Sequence, residues 1–147
     1  MKIISGELKG RNFYLPAHIR PTQNIVRKAV FDLIGHDLSG LTFLDLFAGS
    51  GAIGFEAISN KAAQVTFVER DSKCFEVLQQ NISHLKIIPY MNRPVPYALI
   101  NNDAFASLKL LARQKRKFDI VFADPPYGRE LAKIVIISAT GKINKAP

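Results

Sequence analysis

Between residues 41 and 58 an apolar run, Leu41-Thr-Phe-Leu-Asp45-Leu-Phe47, meets three glycines, Gly49, Gly51 and Gly54, and passes straight into a helical pattern that continues to Ile58. A buried strand that leads through a glycine turn into a helix is the opening unit of a parallel sheet, because parallel neighbours must be joined by a crossover. Glycine lets backbone approach a ligand without a Cβ in the way. The segment therefore predicts an α/β chain with a ligand crevice at the carboxyl end of its first strand.

Taken literally, Gly49, Gly51 and Gly54 satisfy G-x-G-x-x-G, and Glu69 follows Gly49 by 20 residues at the end of a second strand-like run, Ala63–Glu69. This is the dinucleotide fingerprint, and an acid at the second strand's end suits the two ribose hydroxyls of any adenosine-containing ligand. The glycines alone do not separate NAD from S-adenosylmethionine. Asp45, four residues before Gly49, helps to do so. A dehydrogenase keeps that turn apolar, whereas an acid there meets the ammonium and sulfonium of S-adenosylmethionine. A third run, Tyr97–Asp103, also ends in a carboxylate. Asp103 is placed to accept an adenine amino group, with the Ala104 N–H beside it for a ring nitrogen. Asn101-Asn-Asp103 also reads as a solvated turn that caps a helix starting at Ala104, and the two roles are compatible.

The apolar run Phe118–Ala123 delivers Asp124-Pro125-Pro126-Tyr127 to a fourth strand end. An exocyclic nucleobase amine is a poor nucleophile because its lone pair is conjugated into the ring. The Asp124 carboxylate and the Pro125 carbonyl each offer an acceptor for one amino hydrogen, the following proline stiffens the loop, and Tyr127 offers a stacking face. The bland alternative is a rigid strand-to-loop turn. Right-handed crossovers bring strand ends at 45, 69, 103 and 124 to one edge.

The length, 147 residues, fits one folded unit. We divide it into a basic N-terminal arm, residues 1–24, and an α/β domain, residues 25–147, whose first helix runs from near Ile25 to Ile34. The formal charge of +8 favours a polyanionic partner. Only Glu7 opposes six basic residues in the first 28 positions, which points to Lys9, Arg11 and Arg20 as RNA contacts. Lys109, Arg113, Lys115, Arg116 and Lys117 form a second cluster, read as helix-end cations that complement the dipole. The prolines between Ile87 and Pro96 make that stretch a loop. The lone Cys74 lies in a helical pattern, Ser72–Ser83, and reads as a packing residue of a reducing compartment. His18, His36 and His84 lack metal-ligand spacing, so no metal is expected. Without a signal-peptide core or an apolar run of membrane-spanning length, no membrane association and a cytoplasmic location are expected.

The order of motifs resembles the bacterial 16S rRNA (guanine-N2)-methyltransferase family of the RsmD type. Residues 1–11, MKIISGELKGR, resemble its opening, Arg20-Pro21-Thr22 its next signature, and Asp45-Leu-Phe-Ala-Gly-Ser-Gly51 and Asp124-Pro-Pro-Tyr127 complete it. The resemblance covers residues 1 to about 130. It implies a Rossmann-like S-adenosylmethionine-dependent methyltransferase fold with a mostly parallel sheet, acting on the N2 amine of a guanine in 16S rRNA or the small ribosomal subunit. It implies catalytic roles for Asp124, Pro125 and Tyr127. Thr22, Asp45, Phe47, Gly49, Gly51, Glu69, Asp103 and Ala104 would touch the cofactor. Asn24 and Lys28 stand where the family shows acids. The family continues beyond Asp-Pro-Pro-Tyr with a helix, a fifth strand and a hairpin, whereas 20 residues follow Tyr127 here. The chain thus reads as truncated at the C-terminus, with one strand near Ile134–Thr140 and self-association through an exposed sheet edge as an expectation. Two competing readings are an amino-methyltransferase acting on adenine N6 or cytosine N4 of DNA or RNA, and a non-catalytic nucleic-acid-binding remnant.

Overall fold

The computed structural model describes residues 1–18, 24–87 and 95–125, together with the backbone of 134–137. Four strands run parallel: β1 (Thr42–Leu46), β2 (Gln64–Val68), β3 (Tyr97–Ile100) and β4 (Ile120–Ala123). A fifth, β5 (Ile134–Ile137), lies antiparallel to β4, and the order across the sheet is β3-β2-β1-β4-β5. The mostly parallel α/β sheet expected from the sequence is therefore present. β1 occupies the centre, and its residues from Phe43 to Leu46 are all buried. That burial explains why its sequence is a nearly continuous apolar run rather than an alternating one.

The two faces of the sheet divide by the period-two alternation of the strands. Phe43, Val65, Phe67, Ile120 and Phe122 face one core, shared with Phe31 of α1 (Asn24–Ile34), Phe55 of α2 (Ala52–Ser59) and Leu78 of α3 (Ser72–His84). Leu44, Leu46 and Val68 face the other, packed against Ala104 and Leu111 of α4 (Ala104–Arg113). Gly54 permits the close approach of α2 to β2, since a Cβ there would lie 2.1 Å from a ring carbon of Phe67. On α1, Asn24 accepts a hydrogen bond from Arg27 and Lys28 pairs with Asp32 at 2.6 Å.

Residues 1–18 are bonded into the domain. Lys2 and Asn12 form an antiparallel bridge, and Ile3 and Phe13 are buried in the larger core. Glu56 of α2 organises this segment. Its carboxylate accepts from the Ile4 N–H at 2.6 Å, the Ser5 hydroxyl at 2.8 Å and the Arg27 guanidinium at 3.0 Å. Arg27 also donates to the Lys2 carbonyl. Further along, Asn81 of α3 clamps Tyr14 from both sides, accepting from its N–H and donating to its carbonyl.

The crossover helices end alike. The caps Asn60, Leu85 and Gln114 are followed by Lys61, Lys86 and Lys115, with φ of 72°, 53° and 55°. This left-handed position is the one that glycine usually fills, and an L-residue pays about 1–2 kcal/mol for it.

Candidate active site

The carboxyl ends of β1, β2, β3 and β4 carry Asp45, Glu69, Asp103 and Asp124 along one edge of the sheet. Asp45 is the most enclosed, at 1% exposure. It accepts the Gly54 N–H at 3.1 Å, so a strand side chain caps the first turn of α2, whose N-cap, Gly51, has no side chain to do so. Burial pushes the Asp45 carboxyl up to about 8, against the pull of that N–H, and the negative charges of Glu69 and Asp124 add to the rise.

The turn after β1 is held to β2 by the Ala48 N–H, which donates to the Val68 carbonyl at 2.9 Å. Phe47 and Gly49 both adopt left-handed φ, 57° and 58°. A Cβ built on Gly49 meets nothing within 4 Å. The glycine is thus required by backbone conformation, and the space over it is open to a ligand. Gly51 continues the turn into α2.

Glu69 closes the turn from the other side. One carboxylate oxygen accepts the Gly49 N–H at 2.7 Å, and the other accepts the Asp71 N–H at 2.9 Å. Each oxygen retains acceptor capacity after one such bond. Asn101 ties the next strand end to this one, donating to the carbonyls of Glu69 and Arg70. Asp103 is the N-cap of α4 and accepts the Ala106 N–H at 3.0 Å, so the capping reading is realised; the adjacent Ala104 is buried. Asp124 and Pro125 follow β4 directly and are half-buried. In the ladder, Ala123 pairs with Leu46, which sets Asp124 beside the start of the glycine turn.

The structure therefore gathers Asp45, Phe47, Gly49, Gly51, Glu69, Asp103, Ala104, Asp124 and Pro125 at the carboxyl edge. Thr22, Arg20 and Tyr127 lie outside the described residues. Lys9 and Arg11 are not at this edge: Arg11 donates to the Leu85 carbonyl at 3.1 Å, at the carboxyl end of α3. That end of the helix lies by the amino ends of the strands, because crossover helices run against them.

Sequence reading missed the partners that order the surroundings. Glu56 and Asn81 showed no motif, and Asn101, read as part of a turn, gave no sign of its bonds to the Glu69 and Arg70 carbonyls. His18, Asp71 and Cys74 bring one ligand-type atom each within 4.8 Å of one another, although His18 and Cys74 are 56 positions apart. Asp71 accepts the Cys74 N–H as the N-cap of α3 and sits 3.6 Å from His18. Cys74 is fully buried, and burial chiefly holds its thiol up at about 12, so it packs as a neutral side chain. Among the described residues no helix is long and apolar enough to cross a membrane.

The site as a whole offers acids for a cationic, hydroxyl-bearing ligand and an open glycine turn against which it can lie. Comparison with known proteins identifies the family. The chain is 38% identical over 136 residues to ribosomal RNA small subunit methyltransferase D of Buchnera aphidicola (subsp. Acyrthosiphon pisum), covering 91% of this chain and 66% of that protein. It is 36% identical over 138 residues to the Escherichia coli K12 protein of the same name, covering 92% and 65%. The chain thus spans about two thirds of the length of these relatives. A solved structure of a hypothetical protein from Thermus thermophilus superposes with a TM-score of 0.73 at 29% identity, covering 90% of this chain and 72% of that one. The family described as Conserved hypothetical protein 95, to which the small subunit methyltransferase D proteins belong, matches residues 1–145, and the chain is a member of it.

Proposed function

We propose that the chain transfers a methyl group from S-adenosylmethionine to the exocyclic N2 amine of a guanine in 16S ribosomal RNA. The observation that carries this reading is the convergence of Asp45, Glu69, Asp103 and Asp124 around the Gly49 turn at one sheet edge. Family membership and the names of the relatives support it.

S-adenosylmethionine, when bound, supplies an electrophilic methyl group on a positively charged sulfur. Glu69 supplies negative charge for the cation and retains acceptors for ribose hydroxyls, and Asp45 adds its own charge when the proton it holds in the free chain is released on binding. Asp103 serves the adenine amine with its remaining acceptor capacity. Gly49 lets the ligand lie against backbone. Asp124 and the Pro125 carbonyl accept the two hydrogens of the target amine and so turn its lone pair toward the methyl group, while Tyr127 stacks on the base. Methylation leaves a cationic nitrogen whose proton is acidic enough to pass to the Asp124 carboxylate. Position and charge, not a strong base, supply the acceleration.

A ribosomal RNA substrate implies a bacterial cytoplasmic location. Self-association through the sheet edge beyond β5, where the order β3-β2-β1-β4-β5 ends, belongs to the same proposal. Sedimentation showing a monomer at all concentrations overturns that part.

The test is transfer of labelled methyl to unmethylated small ribosomal subunits, with naked 16S rRNA and duplex DNA in parallel. Label on guanine N2 is expected. Label on adenine or cytosine instead, or no label from a folded protein that binds the cofactor, overturns the reading.

A further inference from the structure

Charge that the site does not use collects at the opposite end of the sheet. Crossover helices in a parallel sheet deliver their carboxyl ends to the amino ends of the strands. There α2, α3 and α4 stop, and each is followed by a left-handed, exposed lysine: Lys61, Lys86 and Lys115. Other cations share this end. Lys9 lies in the turn whose Glu7 and Leu8 N–H groups are bonded to Ser59, at the last residue of α2. The carbonyl of Lys117 accepts from the hydroxyl of Thr42, the first residue of β1. Arg116 donates to Gln64, the first residue of β2.

The acids at this end are few. Asp119 is buried and accepts from Thr42, Asp37 is bonded to Ser39, Asp32 in the last turn of α1 is exposed and bonded to Lys28 and His36, and Glu7 is exposed. A helix dipole is served by a cation anywhere in the last turn, which Arg113 already provides for α4. It does not call for lysine at the single position where glycine is the less strained choice. Three such lysines at one end of one sheet form a repeated, outward-facing set of charges.

We propose that this end is a second RNA-binding surface, which grips the phosphate backbone of a ribosomal RNA segment away from the target guanine while the reacting base enters at the carboxyl edge. The proposal rests on the rRNA reading above. β1 spans about 17 Å at 3.3 Å per residue, so one folded RNA can reach both ends of the sheet. A short single strand engaged at the catalytic edge alone cannot.

The decisive variant is the whole 147-residue chain carrying Lys61→Gly, Lys86→Gly and Lys115→Gly together. Glycine removes the charge and also relieves the left-handed strain, so thermal melting should show an equal or higher midpoint and cofactor affinity should be unchanged. Binding to transcribed 16S rRNA at 100 mM salt should weaken by about tenfold or more, and the slope of log affinity against log salt should become shallower by about two to three. A second variant, Lys9→Gln with Lys117→Gln, leaves the helix caps intact and should shift affinity the same way. Unchanged affinity and slope in both folded variants overturn the surface, as does a parent chain that does not bind the RNA. If the parent methylates 16S rRNA and the variants bind like it, the surface fails alone. If binding drops as expected while the parent transfers no methyl, the surface stands and the activity reading fails.

Discussion

The Arg27 guanidinium meets the Glu56 carboxylate at 3.0 Å with neither side chain exposed to solvent. A buried ion pair gains little over an apolar pair of the same shape, but losing one partner strands the other charge and costs about 3–5 kcal/mol. Glu56→Gln is therefore expected to lower the unfolding free energy by that amount in urea titration. Because the same carboxylate holds Ile4 and Ser5, the variant should also be cut within its first 18 residues by a protease dose that spares the parent. Equal stability and equal cleavage would refute this account of the segment.

The glycines of the first turn are expected to separate by kind of defect. Gly54→Ala drives a methyl into the Phe67 ring, where the approach is 2.1 Å, and should cost about 1–3 kcal/mol or more by overpacking. At Gly49 the added methyl meets no protein atom, so Gly49→Ala should cost about 1–2 kcal/mol, from its left-handed φ alone. It should nevertheless weaken cofactor binding, because the methyl occupies the space over the turn. Calorimetric titration paired with thermal melts measures both.

Asp45 makes the site pH-dependent. Its carboxyl is ordinarily at 3.8 and stands at about 8 in the folded chain, so between those values the folded state holds a proton that the unfolded state has released. Stability contributed by this group is greatest at the acid end, falls as pH rises through the window and levels off above about 8. The stability of the parent relative to Asp45→Asn should accordingly decline between pH 5 and pH 8. Binding of the cationic cofactor should release a proton and tighten with pH over the same range; titrations in buffers of different ionisation enthalpy detect it. A flat difference between parent and variant would contradict the protonated state.

Asp124→Ala is expected to abolish methyl transfer, a loss of a hundredfold or more on the order of an electrostatic positioning group, while cofactor affinity changes only a few-fold. It should also relax Asp45, since the Asp124 charge is one of those holding that carboxyl protonated. Lost cofactor binding would reassign Asp124 from the target amine to the cofactor.

The fold was legible where its signals are local. Asp45, Glu69 and Asp124 each close an apolar run, and a parallel sheet brings such ends together whatever the intervening sequence. Asp103 was legible as a cap for the same reason, its acceptor and the Ala106 N–H being three positions apart. Long-range pairings were not legible. Nothing near Glu56 announces Arg27, 29 positions away, and nothing near Asn81 announces Tyr14, 67 positions away. The charge asymmetry suggested a basic arm at residues 1–24, and the burial of Ile3 and Phe13 that joins its described part to the core was not legible. The left-handed lysines escaped notice because the sequence signal for that conformation is glycine or asparagine.

The clamp that Glu56 and Asn81 place on the N-terminal segment also orders events in time. Its partners lie 51 to 67 positions downstream, and a ribosome adding about 5–20 residues per second needs roughly 3–13 s to pass from residue 18 to residue 81. During that interval Ile4, Ser5 and Tyr14 still lack one or more of the side chains that hold them in the finished fold. The first part of the chain to be synthesised therefore gains its full set of partners only after both of the first two strands have been made.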